Sequence, residues 1–177
     1  PQQEDMLINI STHSPRACYS EGKRIAETLV QVFGKVNNLQ TRLARVFNTY
    51  GPRLNINDGR VISNFINQSL RDQKLTVYGD GLQTRSFCYV QDMVYGLIKL
   101  MESDYSKPVN LGNEEELTIL DLAFLISSKI TNSISLEHFD LPIDDPMFRK
   151  PCIDLAKNQL GWNPEINLSV GLDKTIN

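Results

Sequence analysis

Short β-branched runs that stop at Gly or Pro alternate with amphipathic stretches along the whole chain, and few architectures accept that alternation. "LTVYGDG" (75–81), "RSFCYV" (85–90) and "PVNLGN" (108–113) read as strands ending in turns. "LQTRLARVFNTYGPR" (39–53) reads as a strand running into a Gly-Pro turn. Between them lie helical patterns. Residues 16–36 place Ile25, Leu29, Val32 and Phe33 on one stripe, and a helix opened by Asp58 or Gly59 carries Val61, Ile62, Phe65, Ile66 and Leu70. Asp92 is expected to cap a helix bearing Val94, Leu97, Ile98 and Met101, with Tyr89 before it as packing. Thr118 suits an N-cap with Asp121 three positions on, close to a capping box. "SISLEHF" (133–139) is a weak strand and "DDPMFRKPC" (144–152) a loop. "IDLAKNQLGW" (153–162) is a short helix ended by Gly161, with Trp162 a core anchor, and "SVGLDKTIN" (169–177) a last helix. Strands alternating with helices throughout give the class α/β.

Composition narrows the functions. At 177 residues with 41% hydrophobic content the chain can bury a sizeable core. Its net charge of −3 gives no general attraction to nucleic acid or an anionic membrane, so an anionic ligand needs a local basic cluster. No run is long enough to span a bilayer, and no signal peptide is visible. Cys18, Cys88 and Cys152 are odd in number and lack zinc-type spacing; they read as buried thiols of a reducing compartment, the cytoplasm, with no metal expected. Cys18 is assigned to core packing, and His13 and His138 to structural or surface roles.

Tyr19 and Lys23 are four residues apart on a helical stretch, so their Cβ atoms lie about 5–6 Å apart on one face. An ammonium favours the phenolate of a neighbouring Tyr and makes it a better proton acceptor from an alcohol. On its own, so short a pattern more often marks a solvated helix with a surface Lys and a half-buried Tyr.

The context is more specific. "YSEGKRIAE", "RVFNTYGPR", "DGRVISNFI", "LTVYGDGLQTRSFCYVQD", "VNLGN" and "RKP" occur in this order over nearly the whole chain. The ordered set resembles the UDP-glucuronate decarboxylases (UDP-xylose synthases), which are extended short-chain dehydrogenase/reductases. The resemblance implies NAD as cofactor, a UDP-sugar as substrate and a homodimer pairing through the YxxxK helix. Tyr19 would be the base on the sugar C4 hydroxyl; Lys23 would tune it and hold the nicotinamide ribose. Asn48 would meet the sugar nucleotide, and Thr49, Asn55 and Arg60 the cofactor. Val77 and Tyr78 would approach the base, Arg85 would clamp the diphosphate or sugar carboxylate and serve catalysis, and Arg149 would be a second nucleotide contact. The chain departs from the family after "RKP", where Cys152 stands in place of the usual Asp and Asp154 follows two residues later.

The implied architecture is the C-terminal part of a Rossmann-type parallel sheet plus a smaller mixed α/β substrate-binding domain. Residues 1–52 would belong to the NAD-binding part and 53–177 mainly to the sugar-nucleotide part, with 85–102 returning to the first. None of the ten glycines forms a GxxGxxG or GxGxxG turn. The chain therefore reads as a C-terminal portion whose cofactor-binding half, and any membrane anchor, would precede Pro1. It is expected to be inactive and to self-associate on its own. Other readings are a 4,6-dehydratase or 4-epimerase of the same family, or a non-catalytic remnant that binds a nucleotide sugar.

Overall fold

Parallel strand pairs interleaved with helices build the protein, as the alternation of short β runs and amphipathic stretches requires. The computed structural model describes residues 1–6, 13–14, 17–131, 133–142 and 145–177. Residues 7–12 and 15 of the opening irregular stretch, and residue 16, the expected first residue of the first helix, fall outside that range. α1 (Ala17–Val36) leads to β1 (Ala44–Val46) and β2 (Thr49–Tyr50), so the single strand expected over 39–53 is two short ones. α2 (Val61–Leu70), β3 (Leu75–Tyr78), β4 (Thr84–Ser86), β5 (Cys88–Tyr89) and α3 (Val90–Glu102) follow. Then come β6 (Val109–Leu111), β7 (Glu116–Thr118), α4 (Ile119–Ile130), β8 (Leu136–Phe139), β9 (Phe148–Arg149), α5 (Asp154–Leu160) and α6 (Leu168–Ile176).

The pairs β1–β6, β2–β5 and β3–β8 are parallel. β4 sits between β7, which is antiparallel to it, and β9, which is parallel. Residues 148–149, expected as loop, are therefore a strand: their backbone completes the free edge of β4. Gly79 and Gly81, at φ of +66° and +76°, make the turn after β3 that a side-chain-bearing residue would strain.

Two clusters of buried apolar side chains hold these layers. In one, Val109 and Leu111 of β6 pack with Met93 and Leu100 of α3 and with Ile153, Leu160 and Trp162 around α5. In the other, Phe65 of α2, Val77 of β3, Leu122 and Ile126 of α4 and Leu172 of α6 surround Tyr50 and Tyr89.

The helix ends follow local chemistry. Thr118 and Asp121 form a complete capping box on α4. Gly161, at φ 58°, closes α5 and delivers Trp162, 1% exposed, whose indole Nε1 donates to the Asp92 carbonyl at 3.0 Å. α1 ends in a Schellman turn: Asn38 has φ 52° and the Leu39 amide reaches back to the Gly34 carbonyl.

Three further expectations are corrected. Asp92 does not cap α3, because Tyr89 holds the N-cap position; Asp92 lies in the first turn, buried, and accepts from the Ile166 amide at 2.9 Å, tying α3 to the chain before α6. The second helix starts at Val61 with Arg60 as its N-cap residue, since the Asp58 amide closes a turn on the Asn55 carbonyl and Gly59 follows it at φ 76°. Cys18 is exposed rather than packed in a core, because α1 turns most of its surface to solvent. Cys88 and Cys152 are buried, as expected. Among the described residues no helix is long and apolar enough to cross a membrane.

Candidate functional site

A cavity of about 340 Å³ opens where the turn after β2, the start of α2 and strands β3, β4 and β9 converge. Asn48, Thr49, Arg60, Tyr78, Arg85 and Arg149 line it. Six residues marked in the sequence, from five separate segments, thus meet in one place.

Its electrostatics favour an anion. Arg85 on β4 and Arg149 on β9 are register partners across a parallel ladder, so two guanidinium groups come from adjacent strands into the same space. The first turn of α2, from Val61 to Asn64, also faces the cavity, and the N-cap residue Arg60 offers no side-chain acceptor to its amides. Unpaired amides at a helix N-terminus attract phosphate-like groups. A planar guanidinium suits two oxygens at once.

The polar side chains are held in place by the backbone. Asn48 Nδ2 donates to the Ser86 carbonyl at 3.2 Å, linking the β2 turn to β4. Thr49 Oγ1 donates to the Phe47 carbonyl at 2.9 Å. Arg85 donates through Nη1 to the Thr84 carbonyl and through Nη2 to Asp145 Oδ2, each at 2.7 Å. Arg60 is largely exposed, with Nε 3.3 Å from Asp58 Oδ2. Tyr78 is 45% exposed, and its ring lies 6.1 Å from that of Phe139, leaving an aromatic surface at the rim.

Four of the marked residues lie elsewhere. Val77 is fully buried in the core and does not line the cavity. Asn55 is an exposed turn residue whose Oδ1 accepts from the Asn57 amide. Tyr19 and Lys23 are on α1, outside the cavity lining. They do share a face: Lys23 Nζ stands 5.6 Å from the Tyr19 ring centroid, and both side chains are open to solvent. An exposed hydroxyl beside an ammonium fits the nicotinamide-ribose end of a dinucleotide. The diphosphate end would need a Gly-rich turn, and the glycines of this chain do not make one.

Sequence reading missed Asp145, Asp58 and Gln83, all of which line the cavity. Gln83 is buried and donates to the Tyr78 carbonyl at 2.8 Å, so it braces the rim. Its signal was its position in the "QTR" stretch, two residues before Arg85. For Asp145 the signal was an acidic pair just ahead of "RKP".

Two other places are weaker sites. Glu114, Cys152 and Asp154 present ligand-type atoms within 4.8 Å of one another. Lys157 already serves this group, with Nζ 2.5 Å from Glu114 Oε2 and 3.9 Å from Asp154 Oδ1. The hydrogen bond to Glu114 raises the Lys157 pKa, which holds that positive charge in place. The Asp154 backbone pulls the Cys152 thiol down, but burial and the neighbouring carboxylates outweigh it and the net shift is upward, away from a metal-binding thiolate. A second cavity, of about 440 Å³, has Glu115 as the only charged residue in its lining and offers no cation to an anionic ligand. Cys88 is inert: burial, and then Asp92, push its thiol up to about 12.

The model of the NAD dependent epimerase/dehydratase family matches residues 1–112. The chain is 51% identical over 176 residues to UDP-glucuronic acid decarboxylase 1 of Danio rerio, covering 99% of this chain and 42% of that protein. It is 50% identical over 172 residues to UDP-glucuronic acid decarboxylase 5 of Arabidopsis thaliana, covering 97% and 50%. It thus spans about half the length of these relatives, or somewhat less. Among solved structures, UDP-glucuronic acid 4-epimerase from Bacillus cereus, in complex with UDP-glucuronic acid and NAD, superposes with a TM-score of 0.83 at 28% identity, covering 92% of this chain and 52% of that one.

Proposed function

Because the chain belongs to the NAD dependent epimerase/dehydratase family, we propose that it carries the sugar-nucleotide cavity and the catalytic base of a UDP-glucuronate decarboxylase. The observation that carries this reading is the convergence of Arg85, Arg149 and the uncapped start of α2 on one cavity, in a chain about half identical to decarboxylases of that name. The decarboxylases named above share far more identity with it than the solved 4-epimerase does.

In this reading Arg85 and Arg149 hold the diphosphate, helped by the first-turn amides of α2, and Tyr78 lies against the base. Asn48, in the cavity wall, meets the sugar nucleotide, and Thr49 beside it is assigned to the cofactor. NAD, when bound with its nicotinamide ribose at Lys23, would supply the redox chemistry at C4. Tyr19 removes the C4 hydroxyl proton and later gives it back, and Lys23 favours the phenolate and holds the ribose. With C4 a ketone, the C5 carboxylate is β to a carbonyl, so the electrons left by CO2 are stored in an enolate. Asn55 and Arg60 are assigned to the cofactor side of the α2 turn.

Residues 1–52, with 85–102 returning to them, are assigned to the cofactor-binding part and the rest of 53–177 mainly to the sugar-nucleotide part. The exposed apolar face of α1 supports a homodimer, and three free thiols support a reducing compartment, the cytoplasm.

The test is a product assay on the full-length protein supplied with UDP-glucuronate and NAD. Release of CO2 with a UDP-pentose is expected. A C4 epimer or a dehydrated sugar would move the chain to another activity of the family, and UDP binding without turnover would make it a binding protein.

A further inference from the structure

The Arg85 guanidinium, in the cavity wall, is already committed. Its side chain is 11% exposed; Nη2 lies 2.7 Å from Asp145 Oδ2, and Nη1 lies 2.7 Å from the Thr84 carbonyl. Asp145 lines the same cavity. An anionic ligand that reaches Arg85 from the cavity therefore meets a carboxylate on its way, and two negative charges about 4 Å apart repel each other by roughly 1–4 kcal/mol in surroundings of intermediate to high polarity.

We propose that Asp145 competes with the ligand's diphosphate for Arg85, so that binding proceeds by exchange of one anion for the other. This rests on the sugar-nucleotide reading of the cavity. Three observations decide which partner leaves. Asp145 is the more exposed of the pair, at 23%. It lies between β8 and β9, outside any helix or strand, where its amide donates to the Pro142 carbonyl at 3.2 Å. Arg85, by contrast, is built into β4 with a strand on each side. The exchange also discriminates between ligands. Asp145 brings one carboxylate to Arg85. A diphosphate brings two charged groups and can serve Arg85 and its register partner Arg149 together. A ligand without phosphate has nothing to exchange. Asp145 is thus a selectivity residue that raises the requirement on an incoming anion.

The experiment measures calorimetric binding of pyrophosphate, UDP and uridine to the full-length protein and to its Asp145→Asn and Asp145→Glu variants, with melting curves to establish folding. Asp145→Asn is expected to bind pyrophosphate and UDP about tenfold tighter than the unaltered protein. Uridine affinity should not change, and Asp145→Glu, which keeps the charge, should stay near the unaltered value. Equal or weaker pyrophosphate binding by Asp145→Asn overturns the exchange, as does absence of pyrophosphate binding in every form. An Asp145→Glu protein as tight as Asp145→Asn overturns it too, because charge would not be the cause. If pyrophosphate shows the expected difference while UDP binds to none of the proteins, the exchange stands and the nucleotide reading fails.

Discussion

Arg85 and Arg149 face each other as register partners on the parallel strands β4 and β9, two like charges side by side in one cavity wall. Like charges directly opposite in a ladder cost about 0.2–1 kcal/mol. Among the described residues, Arg85 pairs with the Asp145 carboxylate and Arg149 forms no ion pair. The two positions should therefore respond in opposite ways. Arg149→Gln relieves repulsion and should leave the melting temperature unchanged or raise it by about 1–3 °C. Arg85→Gln leaves Asp145 without its ion pair and should lower it. Both should weaken UDP binding by about ten- to hundredfold. Thermal melts and UDP titrations on the same samples check this; a lower melting temperature for Arg149→Gln would mean that the second arginine is structural.

Tyr19 stands outside the cavity lining, and a function in proton transfer must be separable from binding. Tyr19→Phe removes one hydroxyl from an exposed helix face and leaves the ring under Lys23 in place. In the full-length protein, CO2 release from UDP-glucuronate should fall by at least about 10²-fold, the usual scale of a general base. The UDP dissociation constant should stay within about twofold. Near-normal turnover would take the base role from Tyr19, and loss of UDP binding would show that α1 supports the cavity.

The class and the helix positions were legible because amphipathic period and punctuation agree. Gly161, Thr118 with Asp121, and the apolar positions of α2 each act through local geometry. Asp92 misled for a physical reason. An acid at the start of a helix usually caps it, but this one is buried and satisfied by the Ile166 amide, 74 residues further on, which no local pattern reveals. β9 was hidden in the same way, since a two-residue strand exists through the edge it completes. In the site, the motif residues marked six positions of the cavity wall, whereas Asp145 was missed because its role comes from an ion pair with Arg85 across 60 residues. Cys152 became interpretable only with its contacts. Its amide bonds to the Gln2 carbonyl and its carbonyl accepts from Asn110, so the loop is held from both sides while Arg149 still reaches the cavity.

Glu27 and Arg45 join α1 to β1 through two hydrogen bonds of 2.7 and 2.9 Å. The bond to Arg45 holds the Glu27 carboxyl below the usual glutamate range. A depressed folded-state value means that the pair stabilises the fold fully above the unfolded value, near about 4.3, and that the contribution is lost as pH falls through the lower folded value. Both side chains are about one-third exposed, so solvent screening keeps the effect to about 1 kcal/mol or less. Urea unfolding of the protein and of Glu27→Gln should show that difference at pH 6 and a smaller one as pH falls toward 3. A difference undiminished at pH 3 would assign it to packing of the side chain and not to its charge.

The apolar stripe of α1 leads to the last prediction. Ile25, Leu29, Val32, Phe33 and Val36 recur at helical spacing, yet all are more than half exposed, at 54–77%. A stripe of this kind normally faces a core or a partner. Arg45 and Glu27 hold the opposite side of the helix to β1, which leaves the stripe outward. Covering one such side chain contributes about 1.5–3 kcal/mol, so a second copy of the helix laid against it would gain substantially. The protein is therefore expected to sediment as a dimer or larger species. Leu29→Glu with Phe33→Glu should shift it to monomer without lowering UDP affinity, because neither residue lines the cavity. Sedimentation velocity across a concentration series distinguishes the cases. A monodisperse monomer before any substitution would remove the dimer from the proposal, and a variant that still dimerises would move the interface off α1.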